Sequence, residues 1–291
     1  MRASDKWVDY ELIDASGRER LERWGDIILI RPDPQVIWDT PKNNSLWSNA
    51  HAKYHRSESG GGKWEYNSRG KKVPESWKID YKDLRFNLKP MGFKHTGLFP
   101  EQAVNWDYFT RLIKNAKRPI KVINLFAYTG GASIACAKAG ASVVHVDAAK
   151  GMVLWAKENA VISSLGSHPI RYLTDDCQKF IEREVRRGSK YDAIIMDPPS
   201  YGRGPNGEVW KLEDSLYSFL QSAFKILSDN PLFVAVNSYT TGLSPTIMET
   251  LLSYMLLPRF GGSVQADEIG LPITESGFIL PCGNTAIWES V

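Results

Sequence analysis

Residues Val122 to Asp147 constrain this chain more than any other stretch. They read VINLFAYTGG, then ASIACAKAG, then ASVVHVD. An apolar, β-branched run ends in a glycine turn, a small-residue helix pattern follows, and a second apolar run ends on an acid. That order predicts a strand, a tight turn, a helix and a parallel strand. Gly130 and Gly131 stand where the first strand hands over to the helix. Glycine there lets backbone approach a ligand and aims helix N–H groups at it. Asp147, 16 residues beyond Gly131, can accept hydrogen bonds from both hydroxyls of a ribose. An ordinary parallel-sheet turn, with Asp147 capping the next helix, explains the same residues.

The alternation continues downstream. Residues 150–164 and 177–189 have helical periodicity, as do 213–228 and 244–256. Between them lie PIRYLTDD, YDAIIMD and LFVAVNSYTTG, read as strands, and two further strands are expected at Ser263–Ile269 and Thr285–Glu289. The expected fold is α/β: a doubly wound, Rossmann-like sheet preceded by a small β-rich N-terminal domain. Ligands of such sheets sit beyond the carboxyl ends of the strands. The polar motifs all fall there: Tyr128–Gly131, Asp147, Asp175–Asp176, Asp197–Tyr201 and Asn237–Tyr239. The first turn lacks G-x-G-x-x-G, which counts against a nicotinamide enzyme.

Two of these ends carry competing readings. Asp176 either accepts from an adenine amino group or caps the helix that starts at Cys177. Asp197-Pro198-Pro199 follows a buried strand, and its prolines stiffen the turn and remove two donors. An acid and carbonyls are then held facing a pocket, an array that suits a flat base. A plain strand stop is the alternative.

Residues 1–88 read differently. DIILIRP and QVIWD are short, β-branched and aromatic, and are expected as strands, with a loop at 59–62 and a linker near Leu88–Pro90. The second domain is therefore expected over 89–291. Between Trp47 and Phe86 nine Lys and Arg face five Asp and Glu, interleaved with aromatics. That mixture suits phosphate contact and base stacking, so this domain is a candidate RNA-binding module. A tryptophan-rich core with a solvated charged face is the other reading.

Composition narrows the class. Hydrophobic content of 43% and charge of 24% are globular values, and a net charge of +3 does not by itself mark a nucleic-acid binder. The three cysteines, Cys136, Cys177 and Cys282, make no metal-ligand spacing, so no metal is expected. No apolar leader or membrane-length run is visible, and a cytoplasmic location is expected. A homo-oligomer is left open.

VINLFAYTGG, HVDAAKG, DDCQKF and DPPSYGRG, in this order, resemble the motifs of class I S-adenosylmethionine-dependent methyltransferases. Within that class they are similar to the bacterial 23S ribosomal RNA methyltransferases of the large subunit, both the cytosine carbon-5 and the guanine nitrogen-7 types. HTGLFPEQAVNW resembles the segment before that family's first strand, and the likeness runs from residue 94 to about 240. It implies S-adenosyl-L-methionine as cofactor and ribosomal RNA as partner. Phe126, Tyr128, Thr129, Gly130 and Gly131 would cradle the cofactor, with Asn124, Ala148 and Cys177 beside them. Asp147 would take the ribose and Asp176 the adenine amino group. Phe99, Glu101 and Gln102 would lie near the methionine part. Asp197, Pro198 and Pro199 would face the target base, and Tyr201 would stack on it. One departure matters. Carbon-5 methylation needs a cysteine that adds to the pyrimidine ring, and where the cytosine enzymes carry it this chain has Asn237, Ser238 and Tyr239. Methylation of a base nitrogen is the favoured expectation. A protein or small-molecule methyltransferase and an inactive cofactor-binding module are the alternatives.

Overall fold

A computed structural model describes residues 1–57, 61–68, 72–203, 209–240 and 242–290, without the side chain of Arg203. Part of the loop expected at 59–62, and Arg69 and Lys71 of the basic stretch, lie outside the described residues. The chain forms two compact units. One is Met1–Val104 with Gly270–Cys282; the other is Asn105–Ile269 with Gly283–Val291. The sequence places the linker near Leu88–Pro90, whereas the units divide after Val104.

The first unit contains β1 (Arg2–Ala3), β2 (Tyr10–Ser16), β3 (Glu19–Trp24), β4 (Ile27–Pro32), helix α1 (Leu46–Asn49), β5 (Ala52–Arg56), β6 (Gly62–Tyr66), β7 (Trp77–Tyr81) and β8 (Leu84–Leu88). Strands β2 to β6 form one sheet in sequence order, antiparallel except between β4 and β5, and β7 pairs with β8. The β2–β3 turn puts Gly17 and Arg18 at φ 58° and 63°, the twist that a two-residue hairpin requires. QVIWD is not a strand. Its backbone is spent on that turn: Gly17 N–H donates to Trp38 O and Arg18 N–H to Val36 O. The indole N–H of Trp38 donates to Ala15 O at 2.7 Å. The segment therefore packs as a turn-rich strap with no ladder partner. Residues 270–282 return to this unit, where Thr274 and Glu275 N–H groups donate to Leu12 O and Ile13 O.

The second unit holds α2 (Ala103–Asn115), which begins at the boundary, then β9 (Lys121–Leu125), α3 (Gly131–Lys138), β10 (Ser142–Asp147), α4 (Lys150–Ile162), β11 (Ile170–Thr174), α5 (Cys177–Arg187) and β12 (Ala193–Met196). A short hairpin, β13 (Tyr201–Arg203) and β14 (Val209–Lys211), precedes α6 (Leu212–Ala223), β15 (Phe233–Ser238) and α7 (Pro245–Phe260). Strands β16 (Ser263–Pro272) and β17 (Ile279–Glu289) close the chain and run into the first unit. The sheet order is β16-β17-β15-β12-β9-β10-β11, parallel from β15 to β11, with β17 antiparallel to β15. The chain leaves β9 toward β10 and β11, then crosses to β12 on the other side. That is the doubly wound switch point. β12 is apolar and buried along its length, and β9 and β15 are buried except at Lys121, as in parallel sheets covered on both faces.

Candidate active site at the strand ends

Register brings the predicted residues together. Leu125, Val146, Met196 and Val236 lie side by side across four adjacent strands. The next residue in each is Phe126, Asp147, Asp197 or Asn237. Four motifs far apart in sequence therefore share one level at the switch point.

The turn after β9 is strained. Phe126 and Tyr128 hold φ at 55° and 51°, and Gly130 at 88°. Non-glycine residues rarely adopt these values, which cost on the order of 1–3 kcal/mol each and concentrate at functional sites. The turn is held from several directions. Phe126 N–H donates to Cys177 Sγ at 3.3 Å, Ala127 N–H to Val146 O, and Asn159 Nδ2 to Thr129 O at 3.0 Å. The glycines owe their place to packing as well as to φ. A Cβ on Gly131 would sit 2.6 Å from Trp106 Cζ2, and one on Gly130 would sit 2.9 Å from Ala156 Cβ. On their Cβ sides, both glycines lie close to the protein's own side chains. Asn124, a candidate cofactor neighbour, is buried beneath the turn and donates to Ser133 Oγ at 2.9 Å, which in turn meets His145 Nδ1 at 3.0 Å. Asn159, Ser133 and His145 escape sequence reading because each lies inside an unremarkable, largely apolar helix or strand, while Trp106 reads only as a core residue of its helix.

Asp147 accepts from Tyr128 N–H at Oδ2 and from Ala149 N–H at Oδ1, both at 2.8 Å. Burial pushes its carboxyl above the usual range, and these two amides only partly oppose that. Each carboxylate oxygen can accept two hydrogen bonds, so capacity remains for two more donors. A vicinal diol fits that donor requirement, as a ribose supplies it. The leading N–H groups of α3 have no partner within their helix by geometry, and they belong to the same turn. Ala148 follows Asp147 directly and is exposed.

Asp176 is the N-cap of α5, accepting from Lys179 N–H at 2.9 Å through Oδ1. The capping alternative is thus present in the structure, and it leaves Oδ2 for another donor. Asp175 is paired with Arg183. Cys177 is 3% exposed and its thiol is pushed up by burial, so it serves as a packed acceptor for Phe126.

Asp197 is half-buried, Pro198 buried, and Pro199 and Tyr201 exposed. Trp210 Nε1 donates to Pro199 O at 2.6 Å, Leu212 N–H to Ser200 O at 3.0 Å, and Thr240 Oγ1 to Ser200 Oγ at 2.6 Å. Asn237 is 3% exposed and belongs to a closed set: Asn105 Nδ2 and Thr285 Oγ1 donate to its Oδ1 at 3.2 and 2.6 Å. Phe99, Glu101 and Gln102 fall in the first unit, around a 3-10 turn at Pro100–Gln102, and Glu101 and Gln102 are buried. Among the described residues no cluster of His, Cys, Asp or Glu could hold a metal, and no helix is long and apolar enough to cross a membrane.

The chain resembles known proteins. The S-adenosylmethionine-dependent methyltransferase family model matches residues 50–217. The structure of the SAM-dependent methyltransferase from Agrobacterium tumefaciens is 37% identical, with a TM-score of 0.93, over 100% of this chain and 93% of that one. SMU.776, solved in complex with SAH, is 19% identical with a TM-score of 0.75 over 98% of this chain and 76% of that one, and shares the fold. The Shewanella frigidimarina ribosomal RNA large subunit methyltransferase K/L is 32% identical over 148 residues, 50% of this chain. This chain spans 20% of that protein's length. A family match over more than half the chain, and a structural relative above a third identity that spans all of it, agree with the doubly wound sheet and its polar strand ends: the chain belongs to the S-adenosylmethionine-dependent methyltransferase family.

Proposed function

We propose that this enzyme methylates a nitrogen of a base in ribosomal RNA. The observation that carries the reading is the shared level of Phe126, Asp147, Asp197 and Asn237 at the switch point, with no thiol among them. Cys136, Cys177 and Cys282 are all buried, so no cysteine is offered to a pyrimidine ring. Nitrogen displacement needs none. The likeness to a ribosomal RNA methyltransferase supports the substrate class.

The bound cofactor supplies an electrophilic sulfonium methyl. The protein's part is holding and alignment, which can supply roughly 7–11 kcal/mol of a bimolecular barrier. Asp147 holds the ribose hydroxyls, the turn Phe126–Gly131 backs the cofactor with Ala148 beside it, and Asp176 Oδ2 takes the adenine amino group. Asp197 accepts a hydrogen bond from the target base and orients or deprotonates its nitrogen. Tyr201, exposed beside the prolines, stacks on the base once it leaves its helix.

The test is direct. Large-subunit RNA from a strain lacking the gene is incubated with the enzyme and methyl-labelled S-adenosylmethionine, and its nucleosides are separated by mass. A nitrogen-methylated base is the expected product. 5-Methylcytosine would overturn the nitrogen assignment. Label transferred only to protein or small molecules would overturn the RNA assignment, and no transfer to any acceptor would leave a cofactor-binding module.

A further inference from the structure

The base-side turn has an unusual holding problem. Pro198 and Pro199 have no N–H, so that part of the segment after Asp197 can be fixed only through its acceptors and side chains. Bonds from Leu212, Thr240 and Trp210 reach Pro199 and Ser200. Of the three, Trp210 also touches the turn after β9. Its ring lies 5.9 Å from that of Phe126 and meets Phe219 edge-on at 5.7 Å. Phe126 and Phe219 are themselves 5.5 Å apart, and Phe219 is buried on α6. Phe126 is anchored at its other end, where its N–H donates to Cys177. The indole therefore sits in a three-ring cluster with its polar edge on Pro199 O.

We propose that Trp210 is a positioning residue that couples cofactor binding to the order of the Asp197–Tyr201 turn. The inference rests on the reading above, in which the Phe126 turn backs the cofactor and the Asp197 turn meets the base. Occupation of the Phe126 turn fixes the Phe126 ring, the ring fixes the indole, and the indole N–H fixes the Pro199 carbonyl. Methyl transfer tolerates little misalignment, since a displacement of about 1 Å can cost on the order of a hundredfold. A link of this kind brings the base-side turn into register only when the cofactor is present.

The experiment is amide hydrogen exchange on the whole protein, with and without SAH, in the parent and in Trp210→Phe, which keeps a ring and loses the N–H. Saturating SAH is expected to slow exchange of the Tyr128–Gly131 amides in both proteins. It is expected to slow the Ser200 and Tyr201 amides by at least about threefold in the parent and not in the variant. Equal protection of Ser200 and Tyr201 in both proteins overturns the coupling, as does its absence in the parent. Failure of SAH to protect Tyr128–Gly131 in the parent instead overturns the site assignment beneath it. If Trp210→Phe does not fold, Trp210→Leu, which also lies outside the cofactor turn and removes the indole N–H, is read the same way.

Discussion

Glu22 of the first unit and Asp147 of the second are both carboxylates withdrawn from water, and their carboxyls move in opposite directions. For Glu22 burial alone would raise the carboxyl; the charges of Arg31 and Arg20 and hydrogen bonds from Arg31 and Tyr10 outweigh it and hold the group at about 2. Arg31 grips it with two bonds at 2.5 and 2.7 Å, and Tyr10 adds a third at 2.8 Å. Arg20 also pairs with Asp33 at 2.9 Å, and Trp24 lies under Arg31. Asp147 has only two backbone amides, and burial wins. A saturated carboxylate holds a unit together; one left short of donors gains when a ligand brings them. Perturbed groups mark function when their partners are missing, and structure when the partners are present.

That contrast can be broken at its strongest point first. Glu22→Ala strands Arg31 in the interior, and removing one member of a buried pair costs about 3–5 kcal/mol. Denaturant unfolding followed by exchange of the β3 amides should show this loss, while SAH affinity of the folded fraction stays unchanged. The same ion network gives a pH signature. A carboxyl held at about 2 stabilises the fold above its ordinary 4.5, and that stabilisation is lost as pH falls from 4.5 toward 2. Glu22→Gln should flatten acid unfolding in this window. A loss below about 1 kcal/mol, or an unchanged acid limb, would mean that Glu22 is not the unit's electrostatic centre.

The next effect belongs to Asp197. Asp197→Asn keeps the shape and loses the charge, and general-base contributions are typically about 10²–10⁴-fold. Single-turnover methyl transfer to the RNA position found by mapping should fall at least about a hundredfold with SAH affinity intact. Turnover within a few-fold of the parent would reduce Asp197 to a strand terminator. Acid should act on cofactor affinity more gently. Ribose donors favour the ionised form of Asp147, whose carboxyl starts above its ordinary 3.8 in the free protein. SAH affinity should therefore fall as pH drops through that carboxyl, by up to about tenfold per unit, and the Asp147→Asn variant should lack this dependence. A parallel decline in both proteins would assign the titration elsewhere.

Much of the second unit was legible because parallel strands announce themselves as apolar runs, and their polar ends stand out against them. Asp147, Asp176 and Asp197 could be named from that contrast alone. What each side chain does there was less visible. Gly130 and Gly131 read as room for a ligand, and the packing of Ala156 and Trp106 against their Cβ positions was not visible. QVIWD read as a strand because its composition is that of one; the positive φ of Arg18, which draws the segment into a strap, carries no sequence mark. The set joining Asn105, Asn237 and Thr285, and the bond from Trp210 to Pro199, depend on long-range placement that no local pattern encodes. The return of residues 270–282 to the first unit is hidden for the same reason.

Calorimetric titration of SAH into the parent and into Asp147→Ala asks most directly whether the unsaturated acid at the switch point holds the cofactor. Two charge-assisted hydrogen bonds are at stake, each worth roughly 1.5–3 kcal/mol. The variant should bind at least about tenfold more weakly while remaining folded in the absence of ligand. Parent-like affinity in Asp147→Ala would contradict the assignment and leave Asp147 as a cap on the turn it already bonds.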